Sequence, residues 1–171
     1  IPTVRDKLVL KFISELLAVI YPEHVSRVPH STVKQVHTAS SKRASTDKYL
    51  RLDIESFFPS INHKILMRIL RRRIRKREIL HLIENALTTP TGVGKAFGAQ
   101  NSQGVPQGLS ISNILSSLYL SDVDDAMRKH AGVDYFRFVD DILMIGAPAE
   151  VDKLGISVPR LLKAKRKITC H

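Results

Sequence analysis

The sequence predicts an α+β fold in which an antiparallel sheet is backed by helices. Residues 49–55 alternate apolar and charged side chains, as a half-buried strand does. Residues 135–146 contain two apolar runs, rich in β-branched and aromatic types, that flank a short acidic pair and predict a hairpin. Residues 5–20 and 62–84 repeat apolar side chains at helical spacing. The 171 residues are enough for one domain with a sizeable core.

The composition indicates a globular protein with a polyanionic partner. Lys and Arg number 27 and Asp and Glu 16, which gives a net charge of +11. The single cysteine, Cys170, excludes an internal disulfide and fits a reducing compartment, so we expect a cytoplasmic protein. No apolar run approaches the roughly 20 residues of a membrane span, so no membrane partner is expected. Because the chain begins at Ile1, we expect it to be part of a longer polypeptide.

The N-terminal third predicts one helix followed by an irregular stretch. Residues 5–20 form the helix, which Pro22 ends. Residues 25–48 are polar with few apolar anchors, and fit either a mobile loop at a nucleic-acid backbone or a solvated connector. We expect the core face of the helix to consist of Val9, Phe12, Ile13, Leu16, Leu17 and Ile20.

The predicted strands place three carboxylates at their ends. The strand at 49–55 places Asp53 near its C-terminal end, and the hairpin places Asp140 and Asp141 at its tip. Burying unpaired carboxylates costs several kcal/mol, so the acidic pair is either an exposed turn or a cation site. If the strands are neighbours, the three carboxylates converge, and hard cations with oxygen ligands, above all Mg²⁺, would offset their charge. Two such ions about 3.5–4 Å apart activate a hydroxyl and stabilise a leaving pyrophosphate.

The predicted helix at 62–84, which Ser60 or Asn62 can cap, is strongly basic on one side. Residues 64–77 contain eight basic side chains and no acidic one. Like charges at helical spacing repel each other, so phosphate contact explains the crowding. A solvated basic face or pairing with acids elsewhere in the protein is the alternative. The candidate nucleic-acid-binding residues are Arg68, Arg71, Arg72, Arg75 and Lys76.

In the second half of the chain, residues 103–112 predict a loop that leads into a following helix. Gly108 permits close approach of a ligand, and the Gln107 amide both donates and accepts hydrogen bonds. Three acids later in this helix are expected to be surface charges: Asp122, Asp124 and Asp125. A further helix at 149–164 is expected to be interrupted at Gly155 and Pro159.

Four blocks of this sequence resemble those of reverse transcriptases, in the family's order. Leu-Asp-Ile-Glu-Ser-Phe-Phe-Pro-Ser-Ile at 52–61 resembles motif A, and Gly-Val-Pro-Gln-Gly-Leu-Ser at 104–110 resembles motif B. Phe-Val-Asp-Asp at 138–141 resembles motif C. Ile-Pro-Thr-Val-Arg-Asp-Lys at 1–7 is similar to the fingers of bacterial retroelement-type enzymes.

The resemblance implies a polymerase palm (49–171) with part of the fingers (1–48) and no thumb. It implies DNA synthesis from deoxynucleoside triphosphates onto a primer with an RNA template, so the partners are RNA, DNA and the rest of the polymerase chain. Asp53, Asp140 and Asp141 would be catalytic and, with Ile54, would hold two Mg²⁺ ions, or Mn²⁺ instead. The substrate-binding residues implied are Phe58, whose ring would exclude a ribose 2′-OH, together with Gln107 and Gly108. The oligomeric state stays open.

The subgroup follows from motif B. Gly-Leu-Ser-Ile-Ser-Asn at 108–113 is similar to defence-associated and abortive-infection reverse transcriptases of bacteria, which implies a role against phage. Two alternatives remain open. One is template-independent DNA synthesis of the abortive-infection type, and the other is a catalytically silent scaffold that binds RNA through the basic helix.

Overall fold

The computed structural model describes residues 3–25, 29–88, 103–105 and 109–171. Over these residues the chain has the predicted fold class, a three-stranded antiparallel sheet with helices packed against it. The chain divides into two compact units. The first consists of Ile1–Val25 and Phe58–Tyr119, and the second of Ser26–Phe57 and Leu120–His171. None of the helices in the described ranges has an apolar stretch that could cross a bilayer.

The described elements, in chain order, are α1 (Val4–Ile20), a 3₁₀ turn (Pro22–His24), α2 (Pro29–Ser40), β1 (Lys48–Asp53), α3 (Phe57–Ser60), α4 (His63–Leu70), α5 (Arg77–Thr88), α6 (Ser112–Tyr119), α7 (Ser121–Arg128), β2 (Val133–Phe138), β3 (Asp141–Gly146) and α8 (Pro148–Arg166).

In the first unit, α1 packs against α5 and α6. Thr3 and Asp6 cap its N-terminus reciprocally, since each side chain accepts a hydrogen bond from the other residue's backbone N–H. The helix buries Leu10, Ile13 and Leu17. The predicted core face was therefore wrong in part, because Val9 and Phe12 are 38% and 63% exposed. The apolar stripe of α1 is wider than the surface that packs on its neighbours.

The predicted helix at 62–84 is two helices, α4 and α5. Asn62 caps α4, since its Oδ1 accepts a hydrogen bond from the Ile65 N–H at 3.2 Å. Residues 71–76 leave the helical path between α4 and α5, and only Ile74 among them is buried. Successive like charges disfavour one continuous helix, which gives a physical reason for the break.

In the second unit, the sheet has the order β1-β3-β2, with both neighbouring pairs antiparallel. Helix α8 packs against β1 and β3, and α7 packs against β2. Residues 25–48 were predicted to be irregular, but they contain α2, which also contacts β2. This prediction was wrong because α2 buries few apolar side chains, so its helical period is weak in the sequence.

Helix α8 runs without a break through Gly155 and Pro159, contrary to the predicted interruption. A Cβ at position 155 would lie 2.6 Å from Cδ2 of Leu50. The glycine therefore permits close packing of α8 on β1, and the apolar contact favours the continuous helix.

Candidate active site

The sheet brings the three predicted carboxylates together. Asp53, the last residue of β1, pairs with Asp141, the first residue of β3. The Ile54 N–H donates a hydrogen bond to the Asp140 carbonyl oxygen at 3.2 Å, which places Ile54 beside the hairpin turn. Directly paired residues of antiparallel strands carry their side chains on the same face, with Cβ atoms about 4.5–5.5 Å apart. Asp53, Asp140 and Asp141 are thus neighbours within one unit of the chain.

The turn that carries Asp140 has an unusual backbone. Val139 and Asp140 join β2 to β3, and Val139 has a φ of 58°. A β-branched residue seldom adopts this left-handed conformation, which costs on the order of 1–3 kcal/mol. Neighbouring groups must therefore hold the turn in place.

A buried ionic cluster contacts this turn. Nη1 of Arg137 donates to the Val139 carbonyl oxygen at 2.8 Å. Nε and Nη2 of the same guanidinium donate to the two carboxylate oxygens of Asp124 on α7, at 2.8 and 2.6 Å. The Tyr135 hydroxyl donates to Asp124 Oδ1 at 2.8 Å. We call Arg137, Asp124 and Tyr135 the inner clamp, and the side chains of its two charged members are 7% and 3% exposed.

Electrostatics keep the inner clamp charged. Burial alone would lower the pKa of Arg137, but the hydrogen bonds and the charge of Asp124 raise it above its ordinary value. Burial, together with the charge of Asp124, raises the pKa of the Tyr135 hydroxyl. The arginine is therefore a cation and the tyrosine a hydrogen-bond donor at neutral pH.

The expectation that Asp122, Asp124 and Asp125 are surface charges was wrong for Asp124, while Asp122 is partly exposed. Asp124 is buried in the inner clamp, and Asp122 pairs with the buried guanidinium of Arg166. Only Asp125 is mainly exposed, opposite Arg128. Acids spaced along a helix resemble a solvated face in sequence, and nothing local marks a basic partner that lies distant along the chain.

A second arginine clamps the other end of β2. Nε of Arg43 donates to Asp134 Oδ2 at 2.9 Å, and Nη1 donates to the Gly132 carbonyl oxygen at 3.1 Å. Gly132 has a φ of 86°, which glycine adopts freely. We call Arg43 and Asp134 the outer clamp, whose side chains are 21% and 39% exposed. Neither clamp was predicted from the sequence. A signal for the inner clamp is present there, since Arg137 is in phase with Val133 and Tyr135, two buried residues of the same strand.

A further arginine engages the carboxylates directly. Nε and Nη2 of Arg51 donate to Asp141 Oδ1 at 2.9 and 2.6 Å, and this contact raises the pKa of Arg51. Carboxylate oxygens have the chemistry that hard divalent cations prefer. Among the residues that the structure describes, however, His, Cys, Asp and Glu side chains form no group of three arranged to hold a metal ion. Asp53, Asp140 and Asp141 are neighbours in the sheet, but the Asp141 carboxylate is turned towards Arg51.

The predicted substrate-binding residues are only partly described. Phe58 is half-buried in the helical turn α3, and its carbonyl oxygen accepts a hydrogen bond from the Val105 N–H at 2.9 Å. The adjacent Phe57 is 2% exposed and belongs to the core. Gln107 and Gly108 lie outside the described residues.

The predicted nucleic-acid-binding residues are all exposed in the first unit, and none forms an ion pair with a described carboxylate. We call Arg68, Arg71, Arg72, Arg75 and Lys76 the basic surface. It borders two open hollows of about 530 and 610 Å³, and Arg71 lines both. Arg73 differs from these residues. It pairs with Glu23 at 2.6 Å, donates to the Ile20 carbonyl oxygen and lies 4.9 Å above the Tyr21 ring.

Comparisons with known proteins identify the family of this chain. The family model described as "Reverse transcriptase (RNA-dependent DNA polymerase)" matches residues 1–167. Protein YkfC of Escherichia coli (strain K12) is 26% identical over an alignment of 140 residues that covers 75% of this chain and 36% of YkfC.

Solved structures of telomerase share the fold. Telomerase from Candida albicans, in complex with the TWJ fragment of telomeric RNA, gives a TM-score of 0.67 at 14% identity, over 97% of this chain and 34% of the other. Apo telomerase from Candida tropicalis gives 0.64 at 16% identity, over 98% and 35%. At this identity the likeness concerns the fold. The present chain spans about a third of the length of each of these proteins.

Proposed function

Because the chain belongs to the reverse transcriptase family, we propose that it forms the catalytic palm of an RNA-directed DNA polymerase, with part of the fingers in residues 1–48. The observation that carries the proposal is the pairing of Asp53 with Asp141, beside the Asp140 turn. The reaction transfers a nucleotide from a deoxynucleoside triphosphate to a primer 3′-OH and releases pyrophosphate. RNA is the template and DNA the product.

Asp53, Asp140 and Asp141, with the Ile54 carbonyl, are the proposed ligands of divalent metal ions. When bound, a pair of Mg²⁺ or Mn²⁺ ions would activate the attacking hydroxyl and offset the charge on the leaving pyrophosphate. The carboxylates contribute the negative charge that retains such ions. Both hydrogen bonds from Arg51 go to Oδ1 of Asp141, so Oδ2 would be the oxygen that binds an ion while this pair persists.

The basic surface is the proposed contact with the nucleic-acid backbone. Its five side chains are exposed and have no described acidic partner, so a polyanion is the partner that offsets their charge. Binding of this kind weakens as salt rises, because condensed counterions are released from the phosphates.

Phe58, Gln107 and Gly108 are proposed to contact the incoming nucleotide, on the strength of the motif resemblance. The ring of Phe58 would exclude the ribose 2′-OH. Phe58→Ala is therefore expected to increase incorporation of ribonucleotides relative to deoxynucleotides, as measured by extension with each set of substrates.

Primer extension with the full-length protein tests the proposed function. The reaction contains Mg²⁺, labelled deoxynucleotides, and a DNA primer on an RNA template. We expect products of template length with wild-type protein and with Asp125→Asn, a variant of an exposed carboxylate. We expect none with Asp140→Asn. A parallel reaction without template tests template-independent synthesis.

A silent scaffold is the second candidate, and the pairing of Arg51 with Asp141 favours it, since this pair offsets the charge of one of the three carboxylates without a metal ion. RNA binding without any product, with or without template and with Mg²⁺ or Mn²⁺, would establish the scaffold and contradict the polymerase.

We also propose a role in defence against phage, which rests on the Gly-Leu-Ser-Ile-Ser-Asn form of motif B. Phages are expected to form fewer plaques on host cells that carry the wild-type protein than on cells that carry Asp140→Asn. Equal plaque numbers across a panel of phages would contradict this role.

A further inference from the structure

The backbone of the Val139 turn is strained at the point where the chain presents its carboxylates. Val139 has a φ of 58°, and the residue that follows is Asp140. A β-branched residue relaxes out of this conformation unless its surroundings hold it. Any relaxation would rotate the peptide that connects Val139 to Asp140 and would displace both carboxylates of the turn.

One side chain contacts this peptide directly. Arg137 donates to the Val139 carbonyl oxygen at 2.8 Å, and its other nitrogens are bound to Asp124. The guanidinium is planar, so fixing its Nε–Nη2 edge on Asp124 also fixes the direction in which Nη1 donates. Tyr135 in turn fixes Asp124 by a hydrogen bond to its carboxylate.

We propose that the inner clamp positions the catalytic carboxylates: Arg137, held by Asp124 and Tyr135, keeps the Val139 turn in its strained conformation and thereby sets where Asp140 and Asp141 lie. This inference rests on the proposed function. The three clamp residues are positioning residues, since Arg137 acts on the carboxylates through the Val139 peptide and none of the three is a proposed metal ligand.

The outer clamp provides a matched control for the inner one. Arg43 likewise binds an aspartate, Asp134 on β2, and a backbone carbonyl next to the strand, but that carbonyl belongs to Gly132, which needs no restraint. Arg43→Lys and Arg137→Lys remove the same guanidinium geometry and keep the charge. Only the second change releases a strained turn.

The first experiment measures kcat and KM for deoxynucleotides in the full-length protein. For Arg137→Lys we expect kcat to fall about 10- to 100-fold while KM stays within about threefold, because displaced reacting groups lower the rate more than binding. For Arg43→Lys we expect kcat within about twofold of wild type. Equal losses in both variants, or no loss in Arg137→Lys, would overturn the proposal.

A rescue variant separates positioning from general stability. Asparagine tolerates a positive φ far better than valine, so Val139→Asn relieves the strain that Arg137 opposes. Adding Val139→Asn to Arg137→Lys is expected to restore kcat about fivefold or more. If the double variant is as slow as Arg137→Lys, the turn is not what Arg137 controls, and the proposal fails.

Amide hydrogen exchange tests the clamp without enzymatic activity. In the wild-type protein we expect slow exchange at Ile54, whose N–H is bound to the Asp140 carbonyl oxygen, and exchange about tenfold faster in Arg137→Lys but not in Arg43→Lys. If Arg137→Lys does not fold, Tyr135→Phe, which removes one hydrogen bond, is expected to show a smaller change in the same direction. Unchanged exchange would overturn the inference. An inactive wild-type protein with the expected exchange would refute the proposed function alone.

Discussion

At each end of strand β2, an arginine binds the carbonyl oxygen of a residue with a positive φ, but the two residues and their surroundings differ. At one end Arg43 binds Asp134 and the carbonyl of Gly132, and at the other Arg137 binds Asp124 and the carbonyl of Val139. Glycine adopts its positive φ without strain, and the clamp beside it is partly exposed. Valine is strained at a positive φ, and the inner clamp beside Val139 is buried.

This difference indicates which end of β2 requires a fixed backbone. A buried ion pair has a large desolvation cost and stabilises a fold little in net terms. The end of β2 that carries such a pair is the end that leads to Asp140 and Asp141. The strained valine and its buried clamp are consistent with a turn whose position matters more than its stability.

The largest expected difference between the two clamps appears when the aspartate of each clamp is removed. Asp124→Ala leaves the Arg137 cation buried and unpaired, and we expect it to lower the free energy of unfolding by about 3–5 kcal/mol. Asp134→Ala removes a partly exposed partner and is expected to cost about 1 kcal/mol or less. Chemical denaturation measures both variants. Similar losses would show that the two clamps do not differ in the way described.

A glycine-to-valine change at the outer end tests the role of backbone strain. A Cβ at position 132 would meet no heavy atom within 4 Å, so Gly132→Val introduces strain without a clash. We expect a loss of about 1–2 kcal/mol in the free energy of unfolding. Gly132→Asn, which tolerates positive φ, serves as the control and should lose less. Equal stability of wild type and Gly132→Val would remove the contrast between the two turns.

The sequence revealed the carboxylates but not the clamps. Alternation around Asp53 and the hairpin around Asp140 and Asp141 follow from local patterns, so the strands could be predicted. Their pairing in the sheet stayed a condition, because strands distant along the chain carry no local signal of their partner. The partner of Asp124 is Arg137, on a different element, and no local pattern identifies such a pair. The break between α4 and α5 was missed because apolar spacing continues through it, while the packing of Ile74 is tertiary.

The first unit offers a similar comparison between two neighbouring arginines, of which one has an ion-pair partner among the described residues and the other has none. Arg72 belongs to the basic surface, whereas Arg73 is bound to Glu23 and stacked on Tyr21. We expect Arg72→Ala to reduce the salt dependence of RNA binding, the slope of log K against log salt, by about 0.7–0.9. Arg73→Ala should lower the melting temperature and leave that slope unchanged. Reversed results would refute the assignment of the basic surface.

The smallest effect on stability is expected at Arg51, which is exposed and pairs with Asp141 across the sheet. Exposed ion pairs contribute little to folding, so Arg51→Gln should leave the denaturation midpoint unchanged. The variant frees the Asp141 carboxylate, so half-maximal activity should require less Mg²⁺. A higher Mg²⁺ requirement would show that Arg51 assists the site instead of competing for it.

Binding of Mn²⁺ to the full-length protein, followed by electron paramagnetic resonance, tests the central claim most directly. The claim is that Asp53 and Asp140, distant along the chain, hold the same metal centre. We expect Asp53→Asn and Asp140→Asn each to weaken the same Mn²⁺ binding step, while Asp125→Asn binds as the wild type does. Wild-type Mn²⁺ affinity in Asp53→Asn would contradict the claim.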